Sequence, residues 1–177
     1  MRIISGYLKG KKIQLPLDKF TRPLRDMVKE SIFNIIDHSN FINLKIKDSV
    51  ILDLFSGSGS FGLECISRGA KKVIFNENYS EALKILKINI NNFDCMDKCE
   101  IINTDCFDLL SKKKILGIKF NLIFLDPPFK EKEINLLLES ILDNKILEKN
   151  GLIILHRKKG QKEDLLKKFR IRDSRIY

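Results

Sequence analysis

The sequence predicts an α/β fold built on a mostly parallel, doubly wound sheet with helices on both faces. Three observations support this prediction. Five short apolar segments recur along the 177 residues, segments with helical periodicity separate them, and a glycine-rich loop follows the first apolar segment. Apolar strands that alternate with helices are typical of a parallel sheet covered on both faces. The length suits one domain with a small extension.

The N-terminal extension is expected to be a basic β-hairpin followed by a helix. Residues 1–20 alternate apolar and polar side chains, and Gly6 and Gly10 offer turns. Residues 20–36 then place apolar side chains at helical spacing, with Pro23 where a helix begins and Thr21 as its cap.

The remaining elements belong to a main domain. We therefore divide the chain into an entrance segment, residues 1–47, and a main domain, residues 48–177. Buried strands are predicted at residues 49–55, 71–77, 99–103, 120–126 and 151–156. Helices are predicted at residues 61–70, 80–90, 106–114, 132–147 and 162–169.

The composition indicates a basic protein of the cytoplasm. Lysine and arginine number 33 against 23 acidic residues, so the net charge is +10. This charge favours a polyanionic partner such as nucleic acid, although a lysine-rich chain from a biased genome has the same charge. No apolar run approaches the ~18 residues of a membrane helix, and residues 1–12 lack the apolar stretch that is typical of a signal peptide. With two histidines and no C-x-x-C pair, we expect no metal site.

The glycine loop fits two ligands. Gly57–Gly62 match G-x-G-x-x-G, which is a fingerprint of dinucleotide binding. Asp53 in the preceding strand argues against NAD, because a carboxylate is a poor neighbour for pyrophosphate and a good partner for a cation. Gly57 and Gly59 would let the backbone approach a ligand, and Gly62 would let the helix pack closely. We expect S-adenosylmethionine here, with a nicotinamide cofactor as the alternative.

Two further acids follow the second and third predicted strands. Glu77 could accept hydrogen bonds from the ribose hydroxyls of either ligand, and Asp105 could accept one from an adenine amino group. The alternative for both residues is an acid that caps a helix or lies in its first turn. Because parallel strands end at one edge of a sheet, we expect these acids near the glycine loop.

The motif Asp126–Phe129, D-P-P-F, follows the fourth strand and predicts chemistry on an amino group. An exocyclic amino group of a base is a poor nucleophile because its lone pair is delocalised into the ring. Asp126 and the carbonyl of Pro127 offer two acceptors for its N–H bonds, and consecutive prolines stiffen the turn that holds them. Phe129 could stack on a base that has left its helix.

Taken together, these motifs resemble the amino-directed S-adenosylmethionine-dependent methyltransferases, which have a Rossmann-like class I fold. A narrower resemblance covers nearly the whole chain. The segments RIISGYLKGKKI, TRPLRDMVKESIFNII, LDLFSGSGSFGLECISRGA, NTDCFDLL and LIFLDPPF, in that order, are similar to those of the RsmD family. The resemblance implies methylation of the N2 amino group of one guanine in bacterial 16S ribosomal RNA, within a small-subunit assembly particle. We expect a monomer.

The resemblance also implies roles for individual residues. The cofactor would contact Asp53, Phe55, Ser56, Gly57, Ser58, Gly59, Glu77, Asn78, Asp105 and Cys106. The target base would be held for catalysis by Asp126, Pro127, Pro128 and Phe129. RNA would be held by the basic residues Arg2, Lys9, Lys11, Lys12, Arg22 and Arg25, with Glu30 and Asn34 near the entrance.

The sequence departs from the family pattern at three positions. Leu24 replaces a threonine, Tyr79 replaces an acid or amide, and His156 replaces an acid. The chain also ends where relatives continue, so we expect the sheet to lack its last strand. Two other functions stay open: a DNA adenine or cytosine amino methyltransferase, and an inactive RNA-binding assembly factor.

Overall fold

One parallel sheet forms the centre of the protein. The computed structural model describes residues 1–18, 24–111, 115, 117–128, 130–131, 133–158 and 168–176. Within them, the sheet contains β1 (Val50–Leu54), β2 (Lys72–Asn76), β3 (Cys99–Ile102), β4 (Phe120–Leu125) and β5 (Leu147–Leu155). All neighbouring strands are parallel, and their order is β3-β2-β1-β4-β5. The predicted sheet is confirmed, with β1 at its centre.

Helices cover both faces of the sheet. They are α1 (Asp26–His38), α2 (Ser60–Ser67), α3 (Ser80–Asn92), α4 (Cys106–Ser111) and α5 (Ile134–Asp143). Because side chains alternate along a strand, Ile51 and Phe75 face a core shared with α1, α2 and α3, whereas Leu52 and Ile74 face a core shared with α4 and α5. The doubly wound architecture is therefore confirmed. None of the described helices is both long and apolar enough to cross a bilayer.

Helix α1 is attached to the sheet through a stack of aromatic rings. The ring centroids of Phe33 and Phe61 lie 5.2 Å apart, and those of Phe61 and Phe124 lie 3.9 Å apart. The predicted helix of the entrance segment is present, but its expected cap and first residue, Thr21 and Pro23, lie outside the described residues. The entrance helix thus packs on α2, and α2 packs on the sheet.

The N-terminal residues form the predicted hairpin, which lies along α2. The Ile3 amide donates to the Lys11 carbonyl over 3.0 Å, and the Tyr7 amide donates to the carbonyl of Ser67 over 3.0 Å. Gly6 has a φ of +82°, and a Cβ there would lie only 1.8 Å from the Ser67 oxygen. Only glycine therefore allows the hairpin to approach the end of α2 this closely.

The boundary between α5 and β5 differs from the prediction. The helix ends at Asp143 rather than continuing to residue 147, and the strand begins at Leu147 rather than at 151. Lys145 has a left-handed φ of +51°, and the side-chain amide of Asn144 donates to the Ser140 carbonyl over 2.9 Å. These are features of a helix C-terminus, so Asn144 was the missed stop signal. The predicted final helix lies mostly outside the described residues.

Candidate active site

The glycine loop, Glu77 and Asp126 follow the carboxyl ends of β1, β2 and β4, which lie side by side at one edge of the sheet. In register, Leu54 at the end of β1 pairs with Asn76 of β2 and with Leu125 of β4. The residues that follow these three strands therefore lie side by side. From β1 the chain adds β2 and β3 on one side of the sheet and then β4 and β5 on the other, so the strand order reverses between β1 and β4. Ligands of open α/β sheets bind at such a point.

The glycine loop has a tightly constrained backbone. Three of its residues have positive φ: 59° at Phe55, 55° at Gly57 and 81° at Gly59. The Gly59 amide donates to the carbonyl of Ser56 over 2.8 Å, which closes the turn before α2. A Cβ on Gly62 would lie 2.2 Å from the Phe75 ring. The glycines therefore permit both the turn and the close packing of α2 on β2.

Asp53 is a buried carboxylate beneath this loop. Its side chain is 1% exposed, and Oδ2 accepts a hydrogen bond from the Gly62 amide over 3.0 Å. Within the described part of the chain, Oδ1 is buried and has no hydrogen-bond partner. Burial raises the pKa of Asp53 well above its usual range, and the charges of Asp126 and Glu77 raise it further. A cationic or amine donor would satisfy this oxygen.

Glu77 links the glycine loop to the start of α3. Its Oε2 accepts from the Gly57 amide over 2.6 Å, and its Oε1 accepts from the Tyr79 amide over 2.8 Å. A carboxylate oxygen can accept more than one hydrogen bond. Glu77 can therefore hold the loop and still accept hydrogen bonds from ligand hydroxyls.

Asp105 caps the amino-terminal end of α4, which is one of the two roles that the sequence left open for it. Its Oδ1 accepts from the Phe107 amide over 2.8 Å, and the side chain stays exposed at the sheet edge. Beside it, the Cys106 sulfur lies 3.1 Å from the Asn76 amide nitrogen, which donates to it. Burial raises the pKa of the Cys106 thiol to about 12. The thiol is therefore neutral and no nucleophile. Asn78 is exposed.

Asp126 is paired with a residue that the sequence analysis noted only as a departure from the family. Its Oδ1 lies 2.7 Å from Nδ1 of His156, which follows β5. The two side chains are 19% and 29% exposed, so the pair is open at the sheet edge. Of the rest of the motif, Pro127 is buried, Pro128 is exposed, and Phe129 lies outside the described residues.

Arg157 holds the turn that follows Asp126. Its Nη2 donates to the Glu131 carbonyl over 2.7 Å, and its Nη1 donates to the Pro128 carbonyl over 3.4 Å. The Glu131 amide also donates to the Pro128 carbonyl over 2.9 Å. Two consecutive residues after β5, His156 and Arg157, therefore fix the D-P-P turn from the neighbouring strand.

Comparison with known proteins decides the family. The model of the family described as Conserved hypothetical protein 95, the RsmD family, matches residues 1–177. The chain belongs to the RsmD family. It is 34% identical over 162 residues to the Ribosomal RNA small subunit methyltransferase D of Haemophilus influenzae, which covers 91% of this chain and 80% of the relative. The resemblance seen in the sequence is confirmed.

Solved structures agree with this assignment. The yhhF protein of Escherichia coli superposes with a TM-score of 0.83 and 26% identity, covering 100% of this chain and 92% of that one. Methyltransferase PaMTH1 of Podospora anserina, solved with S-adenosylhomocysteine bound, has a TM-score of 0.54 at 22% identity and covers 60% of this chain and 45% of that one. The second likeness shows the fold alone, and that fold is the Rossmann-like methyltransferase fold.

In this RsmD-family chain, a buried lysine that sequence analysis missed fixes the entrance helix. Lys29 of α1 is 0% exposed, and its Nζ donates to the Arg2 carbonyl over 2.9 Å and to the Ser60 hydroxyl over 3.2 Å. Its Nζ also lies 3.7 Å from a Glu64 oxygen. Burial lowers the pKa of Lys29 while the Glu64 charge opposes that shift. A lysine within the apolar stripe of α1 was the available signal.

Glu64 of α2 joins the hairpin to this lysine. Its two oxygens accept from the amides of Ile4 over 2.7 Å and of Ser5 over 3.0 Å, and Arg68 donates to it over 2.9 Å. The carboxylate is fully buried but has several donors, which is the condition under which a buried charge is tolerated. The hairpin is therefore held by charged groups as well as by its apolar side chains.

The basic residues expected to hold RNA are on the surface. Arg2, Lys9, Lys11 and Lys12 of the hairpin are exposed, as is Arg25 just before α1. Arg2 and Lys12 form the isolated antiparallel bridge. Arg22 lies outside the described residues. The Arg2 carbonyl accepts a hydrogen bond from Lys29, which also donates to Ser60, the first residue of α2. The hairpin turn instead contacts Ser67, the last residue of α2, through the Tyr7 amide. Arg2 is therefore linked to the start of α2 and the hairpin turn to its end.

Proposed function

We propose that this protein transfers a methyl group from S-adenosylmethionine to the N2 amino group of one guanine in 16S ribosomal RNA. The main observation is that Asp126 of the D-P-P turn and the glycine loop share one sheet edge in a chain of the RsmD family. The name of the Haemophilus influenzae relative, which is a ribosomal RNA small subunit methyltransferase, supports the class of substrate.

The residues at the sheet edge fit this cofactor. S-Adenosylmethionine supplies a methyl group on a positively charged sulfur when it is bound. Asp53 has a buried oxygen without a partner among the described residues, which suits the amino group of the methionine part. Glu77 accepts the ribose hydroxyls. The loop residues Phe55, Ser56, Gly57, Ser58 and Gly59 surround the methionine part, and Asn78, Asp105 and Cys106 surround the adenine.

Asp126 prepares the guanine amino group. Oδ2 of Asp126 and the Pro127 carbonyl accept the two N–H bonds, which turns the nitrogen lone pair towards the methyl group. Asp126 is also the group placed to take the proton that the amino nitrogen loses after methylation. Pro128 keeps the turn rigid, and Phe129 stacks on the base.

The exposed basic residues bind the RNA. Hairpin side chains and Arg22 and Arg25 contact phosphates, and the net charge of +10 supports a polyanionic substrate. A small-subunit assembly particle presents the guanine, and one copy of the chain, made of the entrance segment and the main domain, acts on it. A ribosomal substrate places this reaction in the cytoplasm.

One experiment tests this proposal directly. The protein is incubated with methyl-labelled S-adenosylmethionine and small-subunit particles that lack the modification, and the RNA is digested and mapped by mass spectrometry. We expect label on the N2 atom of one guanine. Separate reactions replace the particles with free 16S RNA, large-subunit RNA or duplex DNA as alternative substrates.

The outcomes separate the alternatives. Label on adenine or cytosine of DNA would identify a DNA amino methyltransferase. RNA binding without any methyl transfer would favour an inactive assembly factor. Calorimetry that detects NAD binding and no S-adenosylmethionine binding would overturn the cofactor assignment. The family membership and Asp126 favour label on a guanine of 16S RNA over these three outcomes.

A further inference from the structure

The end of β5 brings His156 to the catalytic carboxylate. Leu155 of β5 pairs with Leu125 of β4, so the next residue of each strand, His156 and Asp126, lies beside the other. The His156 amide donates to the Leu125 carbonyl over 2.9 Å, which extends the strand pairing by one residue. The imidazole then reaches Asp126 Oδ1 over 2.7 Å. The sheet itself therefore sets this contact.

The polarity of the contact follows from the chemistry of the carboxylate. An ionised carboxylate only accepts hydrogen bonds, so Nδ1 of His156 carries the hydrogen. This bond occupies Oδ1 of Asp126 and fixes the side-chain rotamer. Oδ2 remains as the carboxylate oxygen for the substrate amino group. Both side chains are partly exposed, so solvent protons reach the imidazole.

We propose that His156 is a positioning residue for Asp126, and that loss of its second imidazole proton switches methyl transfer on as the pH rises. The proposal deepens the proposed function and rests on it. A neutral imidazole aims the carboxylate and leaves its negative charge available. An imidazolium places a full positive charge against the carboxylate, which weakens its power to accept the amino hydrogens. It also adds a positive charge near a cationic cofactor.

The electrostatic surroundings favour the imidazolium form in acid. The hydrogen bond to Asp126 raises the pKa of His156 above its usual value, and partial burial opposes this shift. Since the pKa is raised, the inhibitory imidazolium persists to higher pH than an isolated histidine allows, and activity is lost as pH falls through that value. Among the described residues, Asp53 of β1 interacts electrostatically with Asp126 and with Glu77, and Arg157 after β5 lies against the turn that follows Asp126.

NMR titration of the free protein tests the pairing without any methyl transfer. The chain has two histidines, and His38→Asn and His156→Asn assign the two imidazole signals. We expect His156 to titrate above about 6.5, the usual value. In Asp126→Asn, which keeps the size of the side chain but loses its charge, the midpoint should fall to about 6.5 or below. The His38 signal serves as the internal reference in each spectrum.

Single-turnover kinetics between pH 5.5 and 9 test the switch. The wild-type rate should rise with pH, with its midpoint at the NMR value. In His156→Asn the amide still donates to Asp126 but does not titrate, so the acidic fall in rate should disappear. His156→Ala should lower the rate about ten- to a hundredfold at alkaline pH without changing the KM for RNA, and the gap to the wild type should shrink in acid because alanine does not titrate. His38→Asn should follow the wild type.

Each of the two measurements can contradict a different part of the proposal. A His156 titration that is unchanged in Asp126→Asn would overturn the pairing. Equal acidic falls in rate for wild type and His156→Asn would overturn the switch. If the wild type methylates no RNA, the proposed function fails and the switch with it, whereas the NMR result still decides whether Asp126 and His156 are paired.

Discussion

The two halves of the sheet edge hold their carboxylates in different ways. On the side of β1 to β3, backbone amides hold the acids: Gly62 donates to Asp53, Gly57 and Tyr79 donate to Glu77, and Phe107 donates to Asp105. On the side of β4 and β5, a side chain 30 residues away holds Asp126. The half proposed to bind the cofactor is therefore held by backbone amides, and the half proposed to bind the substrate by a side chain of the neighbouring strand.

This difference has a functional consequence. Backbone amides do not titrate near neutral pH, but burial raises the pKa of the Asp53 carboxyl well above its usual range, so the affinity for the cofactor should weaken as pH falls through that raised value. The imidazole of His156 titrates near neutral pH, so turnover should change over that range. One titrating carboxyl in the half proposed to bind the cofactor and one titrating imidazole beside Asp126 would then lie at the same edge.

The largest expected effect comes from Asp126. Asp126→Asn replaces one carboxylate oxygen with a hydrogen-bond donor, and should lower kcat about a thousandfold because the amino group loses its acceptor. Cofactor affinity, measured by calorimetry, should stay within about threefold, since the other half of the edge is unchanged. The control Asp143→Asn, an exposed acid at the end of α5, should behave as the wild type. Near-normal turnover in Asp126→Asn would show that the Asp126 carboxylate is not needed for methyl transfer.

The next largest effect concerns the buried ion pair between Lys29 of α1 and Glu64 of α2. Lys29→Met leaves Glu64 with one cation fewer, and the free energy of unfolding should fall by about 3 kcal/mol. Urea denaturation measures this change. Lys84→Met is the matched control, because Lys84 pairs with Glu81 at 2.7 Å on the exposed face of α3. The loss for Lys84→Met should be much smaller, because solvent screens an exposed ion pair. Equal losses would show that burial of Lys29 is unimportant.

Two glycines with similar backbones should respond differently to alanine. Gly59 has a φ of +81° and a Cβ there would lie 2.4 Å from a Leu86 methyl, whereas Gly10 has a φ of +85° and open space. Gly10→Ala should cost about 1 kcal/mol from backbone strain alone. Gly59→Ala should cost about 2–3 kcal/mol, because crowding adds to the strain. It should also weaken cofactor binding, and a thermal-unfolding series with and without cofactor would detect both effects.

The smallest effect is expected on the RNA surface. Lys9→Gln with Lys12→Gln should weaken RNA binding and reduce the slope of log affinity against log salt by about 0.7–0.9 for each phosphate that the protein no longer neutralises. The control pair, Lys71→Gln with Lys149→Gln, removes two exposed charges near the amino-terminal ends of strands. A salt slope that is the same for both pairs would mean that the hairpin is not the RNA surface.

Prediction from sequence succeeded best where the signal is local. The strands at residues 49–55 and 120–126 were recognisable because buried parallel strands are continuous apolar runs, and the loop was recognisable because its glycines have fixed spacing. The boundary at residue 147 was missed because Asn144 is a weaker stop signal than glycine. The capping of α4 by Asp105 was one of two interpretations that the sequence alone could not separate.

The sequence by itself determined the alternation of strands and helices, the glycine loop after β1 and Asp126 after β4, because each depends on neighbours within a few residues. Only the tertiary structure decided that His156 holds Asp126 and that Lys29 joins α1 to the hairpin and to α2. These partners lie about thirty residues apart in the chain, and the order of the strands and the packing of α1 bring them together. Sequence spacing carries no information about such partners until that order is known.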